Sequence, residues 1–363
     1  MRLLLMLHEN PAGSHDDVHR ALGRLQNQGT LEAYSVYPYR ARMAAGLSRA
    51  AVSTEMLDVA EELQPSAILW AHTGDLQVSQ TTLDRLLALP SQPVMGYWDG
   101  DGYDRFYRPF PRPAREIARR CDVVFVQGLN DIVDSLRRAG STDIRYVPGC
   151  TDDVRYGGAL ALRQNRDPDY DVVMIGNRKT SRIPFLSRPG ARWRAEIVDM
   201  LDHRLGTRFA VFGKRWRGPY AKGPIPQAEQ GVAYATGRVA VGVNNLHAGY
   251  TFSNRLTVAM SCGALIAHNW EVGFDEVFGK SPPLRFFTST EEAWAALRAL
   301  LDTDEADLWP ERERAREFAL SRFTMFHLQE YMTSVLDALR AARAGAGVPA
   351  VANPWLARER LWA

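Results

Sequence analysis

Cysteine is scarce in this chain. Cys121, Cys150 and Cys262 are the only three among 363 residues. An odd number of widely spaced cysteines excludes a disulfide framework and any local zinc motif, so a reducing cytoplasm is the expected location. Charge of one sign is lacking as well: the formal net charge of +2 gives no global attraction to nucleic acid or to an anionic membrane. No run of about 18 apolar residues is present, so no spanning helix is expected. The apolar run Leu3–Leu7 is shorter than the core of a secretion signal and reads as a first buried strand. Gly-x-Ser-x-Gly, a Walker loop and a Gly-x-Gly-x-x-Gly after the first strand are all absent. These absences argue against a triad hydrolase, a P-loop enzyme and a dinucleotide-dependent dehydrogenase. No internal repeat is detectable.

What is present is an ordinary globular composition, 46% hydrophobic and 24% charged over 363 residues, enough for two domains with a core each. Short apolar runs alternate with amphipathic segments. In the first half, strands are predicted at 3–7, 31–37, 67–71, 93–98, 123–127 and 144–147, with helices between them. The alternation restarts at Asp171 and continues through strands at 209–213, 239–243, 264–267 and 284–287. Near-continuous apolar strands separated by helices predict two α/β, Rossmann-like, doubly wound parallel sheets. The expected domains are 1–155 and 170–323, joined by a Gly/Pro/Asp-containing linker at 156–169. A helix from about Thr324 to Ala344, within a closing segment 324–363, is expected to pack back on the first domain. The last tryptophans, Trp355 and Trp362, are expected to dock.

The segment Gly249–Ala267 carries the clearest functional signal: a polar loop, a short helix, a glycine stop and an apolar strand. Ser253 is expected as the N-cap, Asn254–Cys262 as the helix and Gly263 as its left-handed terminator. Free N–H groups at such a helix start suit a phosphate, and Arg255 would add a fixed positive charge.

Ile175-Gly176, Val211-Phe-Gly with Trp216, Gly223-Pro-Ile225, Tyr234 ahead of the Val239–Val241 strand, Ser253-Asn-Arg followed by Ala259-Met-Ser-Cys-Gly-Ala-Leu265, and Thr288-Ser-Thr-Glu-Glu292 occur in an order and spacing that resembles the group-1 glycosyltransferase domain of CgeB-like proteins. The likeness covers about Tyr170 to Leu336. It implies the GT-B architecture, two Rossmann-like domains facing a cleft with the last helix crossing back. It also implies a transferase of class EC 2.4 that moves a sugar from a nucleotide-diphosphate donor to an acceptor hydroxyl, with retention. No metal and no cofactor beyond the nucleotide-sugar co-substrate are implied. The acceptor class stays open among glycan, protein, small molecule and modified nucleic acid.

Residues suited to meeting the departing diphosphate are Gly176 and Arg178 after one strand, Lys214 and Arg215 after the next, and Ser253, Asn254 and Arg255 at the helix start. One departure stands out: where relatives carry a ribose-binding Glu in the donor helix, this chain has Val258, which accepts no hydrogen bond. A non-catalytic nucleotide- or sugar-binding relative, and a nucleotide-sugar epimerase of the same fold, are the alternatives.

Three further residues are candidates for catalysis. Asp99 directly follows a strand and opens Asp99-Gly-Asp-Gly-Tyr-Asp104, suited to act as a base or to hold sugar hydroxyls, although turn chemistry also explains such a loop. His72 follows another strand, and His247 lies just before the donor segment; imidazole titrates near neutrality. The stretch Lys214–Tyr220 either stacks a ring or packs against its own domain.

Overall fold

The apolar runs of each half form one six-stranded parallel sheet. The computed structural model describes residues 1–10, 15–74, 76–103, 108–129, 131–179, 188–347 and 350–357. Asp104 and Trp362 lie outside the described residues. The chain divides into two units, Met1–Val147 with Met325–Ala363, and Pro148–Thr324.

In the first unit the strands are β1 (Arg2–Leu7), β2 (Ala33–Tyr37), β3 (Ala67–Ala71), β4 (Val94–Asp99), β5 (Val123–Val126) and β6 (Ile144–Tyr146), in the order β2-β1-β3-β4-β5-β6. Every residue of β3 and β4 is buried, as expected for parallel strands covered on both faces by helices. The helix Met325–Arg343 packs on β4 and β3. Gly96 permits that approach, since a Cβ there would lie 3.0 Å from Leu336. The tail is anchored in the same unit by Trp355, 1% exposed, whose ring meets Tyr331 edge-on at 5.6 Å.

The order reverses between β1 and β3: β2 is added on one side of β1 and all later strands on the other. The crevice outside the C-terminal ends of β1 and β3 is therefore where an open α/β sheet receives a ligand.

The second unit holds β7 (Tyr170–Ile175), β8 (Phe209–Phe212), β9 (Ala221–Gly223), β10 (Gly237–Gly242), β11 (Ile266–Asn269) and β12 (Arg285–Phe287). Their order is β12-β11-β10-β7-β8-β9, placing the reversal between β7 and β10. The helix Pro189–Leu205 turns Gly190, Ala191, Arg194, Ile197, Val198, Leu201 and Leu205 inward, an i, i+3/i+4 stripe that contributes to the core.

Three features differ from the sequence-based expectation. The residues expected as a linker, 156–169, contain the helix Ala159–Gln164 and group with the second unit; one and a half turns are too short for periodicity to reveal. The strand β9 has three residues and no apolar alternation. The donor-segment helix runs Arg255–Ser261 with Asn254, not Ser253, at the N-cap position. At seven residues its macrodipole is modest, so side chains rather than the helix end must supply most of the charge for an anion.

Candidate active site

The second unit's reversal point is built around an arginine that the expected site did not include. Arg194 stands on the core-facing stripe of Pro189–Leu205 and is 5% exposed. Its Nε donates to the Val243 carbonyl at 3.0 Å and its Nη1 to the Asn177 carbonyl at 3.1 Å. Those carbonyls follow β10 and β7, so the guanidinium spans the point where strand order reverses. None of its hydrogen-bond partners among the described residues is a carboxylate. Burial, then the nearby charge of Arg255, presses its pKa from 12.5 to about 9, which leaves it charged at neutral pH.

Around this charge the structure gathers most of the expected residues. The Gly176 carbonyl accepts from Trp216 Nε1 at 2.6 Å, and a Cβ on Gly176 would press on the Arg194 guanidinium at 3.4 Å. Gly213 packs so closely that a Cβ would lie 2.1 Å from the Gly176 oxygen. The two loops are tied by Arg178 N–H to the Lys214 carbonyl at 3.0 Å and by Lys214 N–H to Asn177 Oδ1 at 2.8 Å. The Lys214 and Arg215 side chains are exposed, and Arg215 has a left-handed φ of 70°. Trp216 and Tyr220 lie in the domain core, so of the two readings of that aromatic stretch the packing one describes them.

On the other side of the crevice, Ser253 N–H points to Asn244 Oδ1 at 3.4 Å. Ser253 Oγ accepts from Arg255 Nη1 at 3.1 Å. Arg255 Nε is buried and has no hydrogen-bond partner among the described residues. Asn254 is exposed. Val258 is 1% exposed and part of the interior. A buried guanidinium N–H without an acceptor is costly by about 1–3 kcal/mol, and two arginines side by side repel. An anionic ligand would relieve both.

His247 pairs through Nδ1 with Glu271 Oε1 at 2.7 Å, and Asn269 Nδ2 donates to the same oxygen at 2.7 Å. Glu271, just past β11, is 7% exposed and was not anticipated. Its hydrogen bond raises the His247 pKa above 6.5 against burial. The stabilising contribution of that pair is therefore full below pH 6.5 and lost as pH rises through the raised value. Glu271→Gln is expected to move the His247 ring titration down to or below 6.5, read by NMR of the ring protons; an unchanged titration would mean that another group sets it.

The first unit has a separate constellation at the C-terminal ends of β3 and β4, beside its own reversal point. His72, immediately after β3, holds a left-handed φ of 52°, a conformation costing a non-glycine residue about 1–2 kcal/mol. It is held by its N–H to the Trp98 carbonyl at 3.0 Å and by Tyr39 Oη donating to its carbonyl at 2.7 Å. The result aims Nδ1 at Asp99 Oδ1, 3.2 Å away. Asp99 ends β4 with its side chain 1% exposed.

Its Oδ2 accepts from Tyr97 Oη at 2.9 Å and Tyr103 Oη at 3.0 Å, and its Oδ1 also accepts from Asp101 N–H at 3.1 Å. All four acceptor positions of the carboxylate are thus occupied. Ligand atoms of His72, Asp99 and Asp101 lie within 4.8 Å of one another, but these donors, and Arg108 on Asp101, already use the oxygens a cation would need. The arrangement is an oriented imidazole–carboxylate pair.

Burial disfavours charge on both members, yet each favours the charged form of the other: the His72 pKa is raised by Asp99 and Asp101, and the Asp99 pKa is lowered by His72 and its hydrogen bonds. His72 keeps 26% side-chain exposure, and with Nδ1–H toward Asp99 its Nε2 is the acceptor, 3.4 Å from Gly100 N.

Residues 190–334 match the family model described as Glycosyl transferase-like. The two six-stranded parallel sheets form the GT-B fold. The chain is similar to HepE (Alr3699) of Anabaena in complex with UDP and glucose, at 14% identity, TM-score 0.53, covering 92% of this chain and 99% of that one. It is likewise similar to sucrose-phosphate synthase from Thermosynechococcus elongatus, at 15% identity, TM-score 0.54, covering 94% and 99%. For the catalytic domain of starch synthase IV from Arabidopsis thaliana bound to ADP and acarbose the values are 11%, 0.50, 82% and 77%. No curated protein sequence matches the chain significantly. No helix among the described residues is long and apolar enough to cross a membrane.

Proposed function

We propose that the protein transfers a sugar from a nucleotide-diphosphate donor to an acceptor hydroxyl, as a GT-B glycosyltransferase of the CgeB-like kind. The observation that carries this reading is the pair Arg194 and Arg255 at the reversal point of the glycosyl transferase-like segment, two guanidiniums in mutual repulsion with a buried N–H left unpartnered. Cleaving the sugar–diphosphate bond leaves its electron pair on the diphosphate, and preorganised cations held out of water stabilise that charge most. They supply the role a divalent ion would otherwise fill, which supports a metal-independent reaction with the nucleotide-sugar as the only co-substrate. The Asn244–Ser253 loop and the Gly176–Arg178 loop complete the diphosphate cradle, and His247 with Glu271 is suited to hold sugar hydroxyls.

The resemblance implies retention. The His72–Asp99 pair favours a second reading, inversion by single displacement, because that route needs a base for the acceptor proton and Nε2 is suited to take it. The anomeric configuration of the first product, read by proton NMR coupling constants, decides between them.

A melting-temperature screen against nucleoside diphosphates tests the donor site, since a ligand that binds only the folded chain stabilises it by mass action. The relatives solved with UDP put uridine diphosphate first in the panel. A stabilisation of several degrees by one diphosphate, lost in Arg255→Ala, is expected. No shift with any common diphosphate would remove the donor site, and an isomerised donor with no acceptor consumed would replace the transferase by an epimerase.

A further inference from the structure

We propose that the opposite edge of the second unit's sheet carries a second anion site, for a phosphorylated small molecule, formed by Arg163 and Arg238 with Arg312 behind them. The site stands where β7 and β10 begin. Gly237 and Tyr170 are in register there, and five residue steps of β7 put this edge roughly 17 Å from the Gly176 end. A pocket of about 700 Å³ opens at this edge, with Arg163, Arg238, Glu305 and Trp309 in its wall.

Three guanidiniums share one carboxylate. Arg312, 1% exposed, donates to Glu305 Oε1 at 2.8 Å and Oε2 at 3.1 Å, and to the Arg238 carbonyl at 2.7 Å. Arg163, 8% exposed, reaches Glu305 Oε2 at 3.2 Å, and Arg238 approaches the same oxygen only to 3.8 Å. Three positive charges against one negative leave an excess of two. Arg166, also in the wall, is paired with Asp169, and Asp167 is an exposed carboxylate on the rim.

Arg312 is saturated and structural, whereas Nε of Arg163 and Nε of Arg238 are buried without any hydrogen-bond partner among the described residues. Burial lowers the Arg163 pKa, and Arg312 and Arg238 lower it further against the pull of Glu305. Clustered like charges with buried, unpartnered N–H donors carry a cost that a multivalent anion would relieve. A phosphate offers up to two charges and several acceptor oxygens, two of which can take the paired N–H donors of a planar guanidinium fork. The half-buried Trp309 beside it gives an apolar face for the rest of the molecule. The site shares no residue with the proposed donor site and does not rest on that reading.

Calorimetric titration of the full chain with inorganic pyrophosphate tests both sites independently. Wild type is expected to bind at two sites; Arg255→Ala keeps the pocket site, and Arg163→Gln keeps the other. In the Arg255→Ala background, Gln164→Glu adds a carboxylate to the exposed pocket wall without touching the buried network. It is expected to weaken the remaining site on the order of tenfold, through repulsion between the added carboxylate and the bound anion. The proposal is overturned when pyrophosphate binding in Arg255→Ala is absent, or is unchanged by both Arg163→Gln and Gln164→Glu. Failure of the donor-site reading shows differently, as an Arg255→Ala titration identical to wild type.

Discussion

Arg194→Met is expected to leave the unliganded protein folded while removing its capacity for nucleoside diphosphate. The substitution keeps a long apolar stem in the stripe of Pro189–Leu205 and removes a buried charge that lies beside Arg255. Relief of that repulsion stabilises the free protein, whereas the Val243 and Asn177 carbonyls lose donors at about 1–3 kcal/mol each. These opposing terms partly offset, so the net change in unfolding free energy is expected to stay below the ~6 kcal/mol upper sum of the two carbonyl losses. Binding has no such compensation: truncating one partner of a buried, hydrogen-bonded charge pair costs about 2–5 kcal/mol, at least ~30-fold in Kd. Urea melts and calorimetric titration of the diphosphate measure the two quantities. Retention of wild-type affinity would sink the assignment of Arg194 to the leaving group.

Asp99→Asn and His72→Phe are expected to depress transfer by ~10²–10⁴-fold, the usual contribution of a positioned base, with the donor KM unchanged because both residues belong to the first unit. The pH profile separates a base from a structural role. His72 accepts a proton only when neutral, and its pKa lies above 6.5, so the transfer rate rises with pH through an inflection above 6.5.

The groups that set this inflection are Asp99 and Asp101, which raise it, and Arg108, which lowers it. His15 also lies near this pair: after burial, the charge of His72 lowers the His15 pKa. Asp99→Asn removes the largest raising group, so its residual rate should inflect at lower pH. The same pair stabilises the fold between the ordinary carboxylate range and pH 6.5; the contribution is lost as pH rises through the raised His72 value and as it falls through the lowered Asp99 value. A flat profile in wild type would mean that His72 takes no proton, and the retaining reading would then stand.

Much of this candidate site is legible in the sequence. Asp99, His72 and His247 each follow an apolar strand or precede the Gly249–Ala267 segment, and in parallel sheets the C-terminal strand ends face one edge. Gly176, Arg178, Lys214 and the Ser253–Arg255 turn follow the same rule, and the structure ties them through Asn177, Asn244 and Arg194.

Arg194 was missed because it sits inside a helical stripe that otherwise reads as core. The signal was there: an arginine at the i+3/i+4 position between Ala191 and Ile197 is out of place in an apolar face. Arg312 carries the same mark, between Leu308 and Ala315. Glu271 is harder to find, an ordinary polar residue after a strand; Ser253 is found, and only its place as the cap differs, by one residue of backbone conformation.

The sequence by itself determined the element types, the parallel class of both sheets and the strand ends where chemistry gathers, because apolar period and length are local properties of the chain. Tertiary structure alone decided strand order and hence the two reversal points. It also decided which buried arginines lack a carboxylate, and the orientation of His72 toward Asp99. Those depend on which distant residues meet, and a charge in an apolar stripe cannot reveal its partner until the fold has chosen one.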